Sequence, residues 1–242
     1  MKHYHGTPMG GKRQDVARIL QGRYALIPFG RIEDLPVAAE VCRGFCFDNG
    51  AFTAWRKGEP ITDWHGYYRL CYEWRHHPRF EFALIPDVID GTEADNDELL
   101  NDWPRGAAGV PVWHLHESID RLKRLARNWL TVALGSSGVW ATPGTEGWWQ
   151  RMDEAMAAVC GNGRPNCKLH GLRMLDPAIF TRLPLASADS TNVAQNKQRP
   201  WSTYEAPTVW QKAEVLASRI EAHQSAAEWV SESQLPLFGT DR

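Results

Sequence analysis

Short apolar runs recur along the chain, bounded by turn-forming or charged residues, and between them the apolar positions change to helical spacing. In order, the runs cover residues 2–5, 24–28, 45–47, 82–86, 110–114, 130–134, 168–171 and 185–188. Four intervening segments place apolar residues three and four apart. They are Val16, Ile19 and Leu20; Ile119, Leu122, Leu125 and Ala126; Met152, Ala155, Met156 and Val159; and, after the eighth run, Val209, Ala213, Leu216 and Ile220. Strands alternating with helices predict a parallel sheet. Eight such units predict an α/β fold, a single (β/α)₈ TIM-like barrel over residues 1–230, followed by a polar tail at 231–242. An open doubly wound sheet is the alternative. It usually carries a glycine-rich phosphate turn after its first strand, and His5-Gly6-Thr7-Pro8-Met9-Gly10-Gly11 lacks that pattern.

Composition narrows the picture. No apolar stretch reaches the roughly 18 residues of a membrane span, and the polar start, Met1 to Gly11, lacks the apolar segment of a secretory leader. The expectation is a cytoplasmic protein. A formal net charge of −2 means that a nucleic-acid role needs a local basic rim rather than a basic surface. The five cysteines, Cys42, Cys46, Cys71, Cys160 and Cys167, form no CxxC pair, so reduced thiols and no zinc site are expected. With 12 tryptophans, most serve packing, and a few in loops are available to stack on bases.

In parallel β/α proteins the chemistry lies just past the carboxyl ends of the strands. Three aspartates fall there: Asp48 in Phe47-Asp48-Asn49-Gly50-Ala51-Phe52, Asp87 in Pro86-Asp87-Val88-Ile89-Asp90, and Asp189 in Ser187-Ala188-Asp189-Ser190-Thr191. Each one alone is open to a helix-capping reading. Capping does not explain the histidine, glycine and serine residues that end the other runs. Carboxylates gathered on one rim separate each other's pKa values and supply both an anion and a proton carrier. A metal-dependent hydrolase is a second reading, using His3, His5, His114 or His116 with Asp189. Against it, the end of the fourth run offers Asp87 and no lysine, and Gly135-Ser136-Ser137-Gly138 holds no histidine. That turn offers backbone N–H groups to a phosphate or a base carbonyl. A third reading is a non-catalytic nucleic-acid-binding barrel.

In their order along the barrel these segments resemble the tRNA-guanine transglycosylase superfamily, most closely its short phage-type members that act on DNA. Phe47-Asp48-Asn49-Gly50-Ala51-Phe52 is similar to the family's Asp-Ser-Gly-Gly-Phe segment, and Pro86-Asp87 to its base-recognising aspartate. Ala133-Leu134-Gly135-Ser136 resembles its glycine segment, and Lys168-Leu169-His170-Gly171 its strand-seven segment. Asp189 stands where the family's nucleophile lies. The resemblance implies Asp189 as nucleophile and Asp48 as proton carrier. It further implies Asp87, Phe52, His114, His116, Gly135, Ser136, His170 and Gly171 around the base. The implied partners are guanine-containing DNA, with the target nucleotide flipped out or single-stranded, and a free 7-deazaguanine, with 7-cyano-7-deazaguanine (preQ0) expected. No cofactor is implied. A basic rim of Arg56, Lys57, Arg173, Lys197 and Arg199, with Trp55 and Trp201, would meet the DNA. The tRNA enzymes add a C-terminal zinc subdomain. No cysteine follows Cys167, so that site is expected to be absent.

Overall fold

A computed structural model describes residues 1–197 and 208–230. Eleven strands are present among them: β1 (Lys2–Gly6), β2 (Tyr24–Pro28), β3 (Gly44–Asp48), β4 (Phe80–Leu84), β5 (Gly109–Val110), β6 (Val112–His114), β7 (Thr131–Gly135), β8 (Cys160–Gly161), β9 (Arg164–Pro165), β10 (Lys168–Gly171) and β11 (Ser187–Ser190). β8 and β9 form a small antiparallel hairpin. The other nine pair in parallel in the order β5-β4-β3-β2-β1-β11-β10-β7-β6. The two ends of that series, β5 and β6, belong to one run divided at Pro111. β5 pairs with β4 and β6 pairs with β7, so the ring meets itself at the proline. Proline has no N–H for a ladder, which explains the division. Its carbonyl still accepts from Ala133 N at 2.9 Å. The protein is a single TIM-like barrel.

Ten helices surround the strands: α1 (Arg13–Leu20), α2 (Leu35–Val41), α3 (Ala51–Arg56), α4 (His65–Trp74), α5 (Glu93–Asn101), α6 (Ile119–Asn128), α7 (Glu146–Val159), α8 (Pro177–Phe180), α9 (Asn192–Asn196) and α10 (Val209–Glu221). Ser118, Thr145 and Thr208 start α6, α7 and α10 by accepting the backbone N–H three residues on, which satisfies an otherwise orphaned donor. The faces predicted for α6 and α7 are buried. On α10 the buried face is Ala213, Ala217 and Ile220, while Val209 is exposed. Small residues there let the helix approach the barrel closely. No helix among the described residues is long and apolar enough to cross a membrane.

Alternation along the strands sorts residues into two layers. Phe45, Phe47, Ala83, Trp113, Val132, Leu134, Leu169 and Ala188 face outward, in one large core beneath the helices. Tyr4, Leu26 and Cys46 form one cluster of the inner face, and Leu84, Val110, Val112 and Ala133 form another. The same parity turns Asp48, His114, Gly135, His170 and Asp189 inward. Two runs differ from their predicted bounds in an informative way. β4 begins and ends two residues early, so Asp87 stands three residues beyond it. β11 continues through Ser190, so Asp189 lies within the strand. A polar side chain inside a barrel breaks the apolar pattern without breaking the ladder. Arg199, Trp201 and the tail at 231–242 lie outside the described residues.

Candidate active site

A cavity of about 550 Å³ opens at the carboxyl end of the barrel. Asp48, Asp87 and Asp189 all line it, together with Asn49, Phe52, His114, Gly135, Ser136 and Arg173. None of the three aspartates caps a helix: the caps of α3, α5 and α9 are Gly50, Thr92 and Thr191.

The carboxylates have different surroundings. Asp189 is buried, and its Oδ2 accepts from His170 Nε2 at 3.1 Å while its Oδ1 accepts from Arg173 N at 3.2 Å. His170 is itself fully buried. Because its Nε2 donates, its Nδ1 is the acceptor, and Ser187 Oγ donates to it at 2.8 Å. Asp189 is thus held by two donors. Asp48 accepts a long bond from Gly50 N, at 3.3 Å, and is also met by the Asn49 backbone. Burial pushes its carboxyl up to about 7, with the charges of Asp189 and Asp87 adding to the effect. One carboxylate is fixed by two donors, and the other is poised to carry a proton near neutral pH. The turn that carries Asp48 depends on Gly50, whose φ of +83° leads β3 into α3.

Asp87 follows β4, the strand paired with β3. Its Oδ1 accepts from Asn49 Nδ2 at 2.7 Å, and its Oδ2 from His114 Nε2 at 2.8 Å. The second Asn49 hydrogen reaches Ile85 O at 2.9 Å, and its Oδ1 accepts from Ala51 N. His114 Nδ1 is buried without a partner. His114 packs against Gly135, where an added Cβ would stand 2.9 Å from Nδ1.

A buried knot stands behind this side. Glu117 accepts from His114 N at 2.9 Å, Asn96 Nδ2 at 2.9 Å and Arg121 Nη1 at 2.7 Å. Asn96 Oδ1 accepts from Val88 N, next to Asp87, at 2.7 Å. The backbones that carry Asp87 and His114 are therefore tied to one carboxylate.

Several expected roles change. His116 does not line the cavity. Its Nε2 donates to Gly91 O at 3.2 Å, its Nδ1 accepts from Ser137 Oγ at 2.7 Å, and its ring stacks on His114. His170 lies beneath Asp189 rather than on the cavity surface, and Gly171 is small because Leu185 and Met174 crowd it. Ser136 turns its hydroxyl to Trp148 Nε1 and keeps only its backbone for a ligand. Lys197 is not a rim cation: it is buried, its Nζ donates to Ala194 O at 2.7 Å, and burial lowers its pKa. Arg56 and Lys57 are exposed where they line the cavity, and Trp55 between Phe52 and Arg56 on α3 is exposed as well. The metal-hydrolase set does not assemble. His3 Nε2 donates to His223 O at 3.0 Å and His5 Nε2 to Glu221 at 2.8 Å, both in the outer layer toward α10. Among the described residues no group of three His, Cys, Asp or Glu side chains is placed to hold a metal ion.

Asn49, Asn96 and Glu117 were missed. Asn49 sits beside Asp48 and Glu117 three residues after His114, but nothing in their spacing says that they turn toward Asp87 and the His114 backbone. No protein-family model and no curated protein sequence matches the chain. Two solved structures resemble it in fold, each at 12% identity over 91% of this chain. One is a candidate fructose-1,6-biphosphate aldolase from Coccidioides immitis, with a TM-score of 0.55 over 87% of that chain. The other is a chain of the tryptophan synthase complex from Pyrococcus furiosus, with a TM-score of 0.52 over 95% of that chain. At this identity the likeness establishes the barrel and nothing of the chemistry.

Proposed function

We propose that the protein is a glycosyltransferase that exchanges guanine in DNA for a free 7-deazaguanine, with preQ0 as the expected base, through a covalent intermediate on Asp189. The observation that carries this reading is the pairing of unlike carboxylates in one cavity. Asp189 accepts from two hydrogen-bond donors, and Asp48, lining the same cavity, has its carboxyl raised to about 7 by burial and by the charges around it.

In the first step Asp189 attacks the anomeric carbon of the deoxyguanosine. The bond to guanine N9 breaks, and protonated Asp48 delivers its proton to the departing base. In the second step the incoming base loses its N9 proton to Asp48 and attacks the same carbon, which frees Asp189. Two inversions give net retention, as in a retaining glycosidase with a base in place of water. Asp87, held by Asn49 and His114, faces the ring as an acceptor for its N–H groups. A cavity of about 550 Å³ is of the size that holds a small planar ligand. Arg56 and Lys57 at the mouth supply the phosphate contacts.

Incubation of the protein with guanine-containing DNA and preQ0, followed by nucleoside mass spectrometry, tests the reading. Incorporation of the deazaguanine with stoichiometric release of guanine is expected. Unchanged DNA under conditions where the protein binds it would instead support the non-catalytic barrel.

A further inference from the structure

Arg173 follows β10 with a left-handed backbone, φ +58°, which is unusual for a residue other than glycine. Its N–H donates to Asp189 Oδ1 at 3.2 Å, and its side chain then crosses the cavity. The guanidinium centre lies 3.9 Å from the centroid of the Phe52 ring, and Nη2 donates to Ser136 O at 2.9 Å. A second guanidinium, Arg56, lies 5.9 Å from the same ring, so like charges crowd this spot. A guanidinium is planar, stacks on aromatic faces and donates in its own plane. These are also the properties of the amino-imino edge of a guanine-like base.

We infer that Arg173 is the resident occupant of the aromatic face that receives the planar ring of the ligand, and that the ring enters by displacing it. This rests on the base-exchange reading above. Arg173 covers Phe52 and uses the Ser136 carbonyl, two groups that a flat N–H-bearing heterocycle needs. Its hold is light: one stacked face and one side-chain hydrogen bond, on a residue that keeps part of its surface in solvent. Once displaced it remains tethered beside Asp189, and its charge joins Arg56 and Lys57 at the cavity mouth. A DNA phosphate there draws the guanidinium off Phe52 as the base arrives, so backbone binding and base entry are coupled. A free base has no phosphate to help it and bears the whole displacement.

Two ligands and two variants separate this from a permanent stacking wall. Free guanine and a single-stranded guanine-containing oligonucleotide are titrated calorimetrically against wild type, Arg173→Ala and Arg173→Lys. Arg173→Ala is expected to bind guanine about 5–10-fold more tightly, because no occupant has to leave. It should bind the oligonucleotide more weakly, with a salt slope reduced by about one. Arg173→Lys keeps the charge without the flat stacking group, so guanine should bind more tightly while the oligonucleotide stays close to wild type. Weaker guanine binding in both variants would overturn displacement and leave base exchange standing. The resting contact has its own readout, since the Phe52 ring should shift the Arg173 Nε–H proton upfield in NMR spectra and Phe52→Leu should abolish the shift. Lack of that shift in wild type overturns the inference whatever the ligand results. Lack of guanine binding in wild type and both variants, with the shift present, overturns the base-exchange reading and the inference with it.

Discussion

Asn49 Nδ2 lies 2.7 Å from Asp87 Oδ1, which joins the residue next to Asp48 to the carboxylate that follows the adjacent strand. The same amide also serves Ile85 O. Asn49→Ala therefore leaves two buried acceptors short of a donor, at about 1–3 kcal/mol. Reduced stability in denaturant melts and weaker base binding are expected together, because Asp87 loses its orientation. A variant with wild-type stability and wild-type affinity for the base would show that this bridge does not position Asp87.

Asp189→Asn keeps the shape of the nucleophile and removes its anionic oxygen. No glycosyl-enzyme should form, while DNA binding, which depends on the rim, is retained. Asp48→Asn leaves the nucleophile and slows proton transfer, with a loss of about 10²–10⁴-fold in rate. Denaturing gels with labelled DNA distinguish the two: a trace of covalent adduct is expected from Asp48→Asn and none from Asp189→Asn. A covalent adduct on Asp189→Asn would remove Asp189 from its assigned role.

The raised Asp48 carboxyl also sets a pH dependence of stability. In the unfolded chain an aspartate titrates near 3.9, and in the fold this one titrates at about 7. Between those values the folded state binds more protons than the unfolded state. The contribution of Asp48 therefore falls as pH rises from about 4 to about 7, and above 7 its buried anion opposes folding in full. Asp48→Asn removes that penalty. The inactive variant should be more stable than wild type at pH 8, by up to about 4 kcal/mol, and the two should converge near pH 4. Thermal melts at the two pH values measure this, and equal stability at pH 8 would contradict the raised pKa. In the reaction, guanine release uses the protonated form, so that step should slow above about pH 7.

Gly135→Ala tests why a glycine ends β7. The new methyl would stand 2.9 Å from His114 Nδ1 and 3.3 Å from Val112 Cγ1. The His114 ring has to move, and its bond to Asp87 is lost or lengthened. The expected result is a folded protein with base affinity reduced about tenfold, of the order of one hydrogen bond to a charged group. If Gly135→Ala binds the base like wild type, the glycine serves the turn alone.

Repeated apolar runs with helical segments between them were enough to specify the barrel, because burial on a strand or a helix imposes periods that a single chain displays. The rim positions of Asp48, Asp87 and Asp189 were legible for the same reason: the end of a strand is a local event. Other features were not local. Pro111 was visible, but that its two flanking pairs would close the ring depended on β4 and β7. Lys197 had the composition of a rim cation, yet it is buried against α9. His116 and His170 had the composition of ligands, and became a packed neighbour of His114 and a support beneath Asp189. The partner of Asp87 is the side chain of Asn49, 38 residues earlier in the chain. Side-chain direction within the barrel follows strand parity and can be counted along the sequence. Which donor meets which acceptor depends on the stagger between strands far apart in sequence, and only the assembled tertiary structure sets that.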